Sequence, residues 1–310
     1  MRVSVGSVMV AALIVAMCPA AARAQAPADD PLALVRDGRK LNAAGQFDEA
    51  LALYKRALDL DAASFDAHLA SGVTLDLKGD YARARTHLQR AIDLAPEGQK
   101  AQALSQMAVS YAFEQRAVEA AKYYQQQFDL QLAGGLLDAA AATANALGRV
   151  HLESGNPAEA ARWYERGYET ARKLPNLPPD QVDLWALRWE HAQSRMAARR
   201  GDTAGAARHA AAVKAIVDKG GLNEEQRPAY HYLAGYVAFY AGQPDAAVAA
   251  LLQADQRDPF ILGLIAQAYE KQGQLAKAKE YYERVLRSTS HNLQNAFSRP
   301  LARRKMAELK

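Results

Sequence analysis

GQFDEALALYKRALDLDA, from Gly45 to Ala62, returns as GDYARARTHLQRAIDLAP, from Gly79 to Pro96. Gly45 and Gly79, Ala50 and Ala84, Ala57 and Ala91, and Leu60 and Leu94 fall in register at a period of 34 residues. A fixed period of this size means that one supersecondary unit is stacked many times, because each unit alone is too small to bury its apolar face. The question of function then shifts from which residues react to which face binds.

The same marks recur outward in both directions. Each unit reads as an A helix, a turn that often carries glycine, and a B helix with small, large and small residues at helical spacing. Unit one, 31–64, carries Gly38, Leu41, Gly45, Ala50, Tyr54 and Ala57. Unit two, 65–98, carries Gly72, Leu75, Gly79, Ala84, Leu88 and Ala91. Further units fall near 101–134, 141–174, 180–220, 228–258 and 259–290, for about seven helix pairs in all. Alanines 50, 84, 120, 160, 247 and 278 sit where the two helices of a pair cross, and a bulkier side chain there would force them apart. Four residues later an aromatic or leucine fills the same face one turn along.

Unit five departs from the pattern. LPNLPPD, Leu174 to Asp180, is too rich in proline to be helical and reads as a long loop, with Asp180 as a cap for the next helix. Val182 to Arg200 then forms one long A helix. The register that places Trp185, Trp189, Ala192 and Met196 in the core is preferred over one that buries Glu190 and Gln193. In that register Arg188, His191, Arg195 and Arg199 are expected to face the neighbouring unit rather than the inner groove.

These positions resemble the tetratricopeptide repeat (TPR) family over Pro31 to about Ser290. The resemblance implies an all-α fold, a right-handed α–α superhelix. It also implies that the A helices line a concave groove through fixed positions of each unit. Those positions fall here on Arg39 in unit one, Val73 and Leu77 in unit two, and Val109 and Phe113 in unit three. Later units place Asn145 and Arg149, then Tyr232, Tyr236, Phe239 and Tyr240, on the groove. Some members hold a peptide's terminal carboxylate with lysine and asparagine at two of these positions; Val35 and Arg39, Leu69 and Val73, and Ser105 and Val109 stand there instead. The apolar and aromatic lining favours an extended or helical apolar segment of a protein or peptide partner. Replacing Tyr232, Tyr236 and Tyr240 by alanine is expected to abolish partner capture without unfolding the array.

The N-terminus is a different object. Met1–Arg2 is a short basic start, Val3 to Met17 is almost wholly apolar, and AARAQA ends in small residues, the pattern of a secretory signal peptide spanning 1–26. The run falls short of the roughly 20 apolar residues that span a bilayer, and no later segment offers a span. Cleavage is expected after Ala24 or Ala26. The one cysteine, Cys18, follows VAM, but Met17 stands where a lipobox wants a small residue and Pro19 follows, so ordinary cleavage is favoured over lipidation. The mature chain, of bacterial type and periplasmic or secreted, then has no disulfide and no thiolate chemistry.

Of 38 basic residues, Arg2 and Arg23 fall in the leader, leaving 36 against 34 acidic ones. That balance gives no concentrated basic face for nucleic acid. The seven histidines are scattered, without the paired helical spacing that holds zinc, and there is no calcium loop, phosphate loop or nucleophile elbow. Neither cofactor, metal nor catalytic residues are expected, and the chain reads as no enzyme.

From His291 the repeat is lost. HNLQNAFSRPLARRKMAELK offers a short helix from Pro300, with Arg303, Arg304 and Lys305 outward, as a cap over 291–310 or a basic docking tail. Two readings of function follow. One is an envelope scaffold that binds a partner segment in its concave groove. The other is a structural subunit of an envelope assembly or secretion machine, held through its edges and tail.

Overall fold

The computed structural model describes residues 30–309, apart from 225 and 227; the leader and its cleavage site lie outside the described residues. Every regular element among them is a helix. Seven antiparallel pairs follow one another: α1 (Pro31–Ala43) with α2 (Phe47–Leu60), α3 (Phe65–Lys78) with α4 (Tyr81–Leu94), and α5 (Lys100–Phe113) with α6 (Ala117–Ala133). Then come α7 (Leu137–Glu153) with α8 (Pro157–Ala171), α9 (Pro179–Arg199) with α10 (Thr203–Asp218), α11 (Ala229–Tyr240) with α12 (Pro244–Leu251), and α13 (Pro259–Lys271) with α14 (Leu275–Arg287). Each pair packs most heavily on itself and next on its sequence neighbours, which is the contact pattern of an α–α superhelix.

The crossing alanines at 50, 84, 120, 160, 247 and 278 are all fully buried. Tyr54, Leu88, Tyr124, Tyr164, Leu251 and Tyr282, four residues further on, are buried beside them. Glycines in the A helices receive these large side chains. A Cβ on Gly72 would stand 2.6 Å from Leu88 Cγ, and one on Gly148 2.7 Å from the Tyr164 ring. The A-to-B turns need a left-handed residue: Gly79, with φ of 95°, ends α3, and its N–H returns to the Leu75 and Asp76 carbonyls.

Helix α9 begins at Pro179, so Asp180 lies in its first turn rather than capping it. Proline is tolerated there because the first N–H groups of a helix have no internal partner. Trp185, Ala192 and Met196 are buried, and Trp189 stacks on Tyr168 at 5.0 Å between centroids.

The tail does not stop at a short cap. It forms α15 (Leu293–Glu308), which starts seven residues before Pro300 and carries that proline inside it. Asn292 is the reason for the early start, accepting a hydrogen bond from the Asn295 N–H at 2.9 Å. Helix α15 packs on α14 and α13, then turns inward onto α5 and α7, so it lies along the inner surface of the superhelix. An interior proline costs about 3 kcal/mol, which burial of Leu293, Ala296 and Ala302 offsets.

Polar contacts from three side chains fix this return. Arg299 donates from Nη1 to the Leu286 and Ser288 carbonyls, at 2.8 and 2.9 Å, and so satisfies the end of α14. Arg303 donates to the Leu77 carbonyl at 2.7 Å, which turns it inward and not out to solvent as the sequence reading expects. His291 lies between Asp76 Oδ2, at 2.8 Å, and Gln106 Oε1, at 2.5 Å. Asp76 also accepts from the Ser110 hydroxyl at 2.9 Å. The end of the chain thereby grips units two and three.

Candidate functional site

The inner face is divided by α15. Beneath it, Leu77 and Phe113 are buried in one apolar cluster with Leu293 and Ala296, and the Phe113 ring lies 5.4 Å from that of His291. Towards the N-terminal end a recess of about 360 Å³ holds Val73 and Arg39, whose guanidinium pairs with Asp66 at 2.5 Å. On the opposite side a second recess, also about 360 Å³, includes Tyr240, with its hydroxyl 2.9 Å from Arg199 Nη1.

A larger opening, about 670 Å³, lies between α5, α7, α9, α11 and the start of α15. It brings together Val109, Asn145, Arg149 and Tyr232. Tyr236 and Phe239 do not reach it. They are 0% and 7% exposed and belong to the core beneath units six and seven. Tyr236 therefore cannot be truncated without opening a cavity, contrary to the expectation that the tyrosines are expendable for folding.

Arg188, His191 and Arg195 also line this chamber, which corrects their expected exclusion from the groove, while Arg195 and Arg199 do reach the neighbouring unit four, at the Tyr164 hydroxyl and Glu153. Residues three and seven positions apart share one helix face. That face lies beside the Trp185–Met196 stripe, and α9 is enclosed on both faces at once. The signal was present in the over-long helix, with three arginines and a histidine in a single line.

The chamber's walls are aromatic and its edges cationic. Arg188 stacks over Trp185 at 4.4 Å, Arg149 over Phe260 at 4.6 Å, and Arg195 near the Tyr164 ring at 5.7 Å. Arg195 also donates from Nη2 to the Tyr164 hydroxyl at 2.8 Å. Tyr232 stands edge-on to Phe260, its hydroxyl is buried without a hydrogen-bond partner, and burial pushes it up to about 12. Burial likewise lowers the Arg188 guanidinium and raises the Asp258 carboxyl.

His191 is held well below the ordinary histidine value by burial, then by Arg195 and Arg149. It stays neutral in the fold while the unfolded chain takes up a proton below about pH 6.5. A base whose folded value is depressed gives stability that is present above 6.5 and lost as pH falls. Urea midpoints measured from pH 7 to 5 should fall. The slope should be shallower in H191F by up to about 1.4 kcal/mol per pH unit. Parallel slopes would mean that His191 is protonated in the fold.

The described residues form an all-helical repeat array with a chamber on its inner face. Tetratricopeptide repeat models match residues 38–98, 99–173 and 261–292, together more than half of the sequence, and the chain belongs to that family. Its members generally mediate protein–protein interaction and are typically non-enzymatic scaffolds.

Among solved structures, the apo form of RapI is similar at 14% identity with a TM-score of 0.58, covering 90% of this chain and 99% of that one. Aspartyl phosphate phosphatase F from Bacillus subtilis is similar at 12% identity and a TM-score of 0.56, over 86% and 72% of the two chains. A tetratricopeptide repeat protein from Parabacteroides merdae is 11% identical with a TM-score of 0.54, over 90% and 98%. At such identities the likeness shows the fold alone. No curated protein matches the sequence closely enough to count as a relative. Among the described residues no helix is long and apolar enough to cross a membrane.

Proposed function

We propose that this chain is a non-enzymatic interaction scaffold of the bacterial cell envelope, exported by its leader, that binds a segment of a partner protein on its concave A-helix face. One observation carries the reading. The inner face already grips a helix, α15, through apolar burial against Leu77, Val109 and Phe113 and polar contacts at both ends. A helix laid in a groove is a standard mode of peptide recognition, and the chamber beside α15 leaves room for a further segment.

The same observation gives weight to a second reading. A groove filled by the chain's own tail suits a structural subunit that meets its neighbours through edges and convex face. In-cell crosslinking separates the two. A photoreactive residue at Asn145, in the chamber, should capture a discrete envelope protein, while one at the exposed Gln89 on α4 should not. Capture from position 89 alone would transfer the function to the convex face, and recovery of the mature chain in the cytoplasm would remove the envelope assignment.

A further inference from the structure

Three arginines of the chamber, Arg195 buried and Arg149 and Arg188 half-buried, lack what sheltered arginines ordinarily have. Among the described residues no carboxylate oxygen lies within 4.0 Å of Arg149, Arg188 or Arg195. The Nε atoms of Arg149 and Arg195 are buried without any hydrogen-bond partner, and Arg195 is only 6% exposed. The neighbouring Arg199, one turn further on, is paired with Glu153 at 3.0 Å, as Arg39 is with Asp66. Burying a cation without a counter-charge is costly, and native chains avoid it by pairing.

Nor do the other groups facing the chamber supply that charge. Asp258 is engaged in capping α13, accepting from the Phe260 N–H at 2.7 Å. His191 is neutral, and His291 is held by Asp76 and Gln106. The Tyr124, Tyr164 and Tyr232 hydroxyls stay protonated because burial raises all three. Glu153 acts on Arg195 and Asp138 on Arg188 only from beyond ion-pair range, and Glu153 is already paired with Arg199, so no carboxylate of the described residues closes on any of the three guanidiniums.

We propose that the chamber is a binding site for an elongated ligand bearing more than one carboxylate, with Arg149, Arg188 and Arg195 as its anchors. Guanidinium forks match planar carboxylates in a way that a point charge does not. Arg188 and Arg195 are seven residues apart, about 10 Å along the axis of α9, so they cannot close on a single compact anion. Contact with the Phe260, Trp185 and Tyr164 rings positions the guanidiniums of Arg149, Arg188 and Arg195, and of these only Arg195 spends a donor on a protein hydroxyl, that of Tyr164. The volume suits a short acidic peptide segment or a free polycarboxylic acid. The assignment rests on the concave face being the binding face.

The test titrates the purified mature chain by calorimetry with citrate, glutarate, inorganic phosphate, and an acetylated Glu-Phe-Glu tripeptide with free or amidated C-terminus. Carboxylates should bind, and R149Q and R188Q should each weaken binding by roughly 10- to 100-fold, the loss of one sheltered charge-assisted bond. Both variants should melt no lower than the parent without ligand, because an uncompensated charge has been removed. R166Q, whose guanidinium stacks on Phe128 away from the chamber, should bind as the parent does. Tight peptide binding with weak citrate binding assigns the carboxylates to a partner chain, and the reverse assigns them to a free acid; either supports the site. No carboxylate binding at millimolar concentration, tighter binding of phosphate, or unchanged binding in R149Q and R188Q overturns it. Carboxylate binding without crosslinks from position 145 would leave the site standing and remove only the protein-partner reading.

Discussion

A chain ending at residue 290 should remain helical in units one to seven but lose stability on the order of 5 kcal/mol, at about 1.5–3 kcal/mol for each large apolar side chain uncovered. Leu293 would be removed outright, and Leu77, Val109 and Phe113 would lose their cover. Asp76 would lose the histidine that faces its carboxylate. In a solenoid, stability is a sum over neighbours in a line, and α15 breaks that line by joining units two and three to unit seven. Its loss should therefore turn one cooperative transition into a broader one, with melting lower by about 10–20 °C. The exposed trough should then bind a synthetic peptide of residues 289–309, read by fluorescence anisotropy, and the peptide should restore part of the melting temperature. A truncated chain that melts sharply at the parental temperature would make α15 a passive appendage and leave the groove without a demonstrated capacity to hold a helix.

The repeats were legible because their physics is local. A glycine at a left-handed turn, an alanine at a helix crossing and a large residue four positions on each announce themselves within one 34-residue window. All six crossing alanines are buried as that pattern requires. The place of α15 was not legible, because it depends on partners more than two hundred residues away, such as Leu77 and Asp76. Its apolar positions, Leu293, Phe297 and Leu301, do recur at helical spacing, but Pro300 reads most simply as a helix start. The groove suffered from the same limit. Family positions select residues on the inner side of an A helix, yet whether that side is open depends on what lies across it. Asn145, Arg149 and Tyr232 line the open chamber, Leu77, Val109 and Phe113 are buried beneath α15 with Val109 at the chamber's edge, and Tyr236 and Phe239 are closed over by units six and seven.

Tyr236 offers the clearest separation between packing and recognition. Its side chain is fully buried, stands edge-on to Tyr232 at 6.0 Å and lies 4.6 Å from the Tyr240 ring. Y236A should destabilise the chain by about 3–5 kcal/mol, the usual cost of removing a buried aromatic and leaving a cavity. Y236F keeps the ring and should stay within about 1 kcal/mol of the parent. Tyr232 differs because it faces the chamber, so Y232F should leave urea midpoints nearly unchanged while altering whatever the chamber binds. If Y236A unfolds at the parental midpoint, α11 is not packed between its neighbours as the structure has it, and the aromatic face of unit six becomes available for a partner after all. A large loss in Y236A with none in Y236F assigns that residue to the core and confines recognition in unit six to Tyr232 and Tyr240.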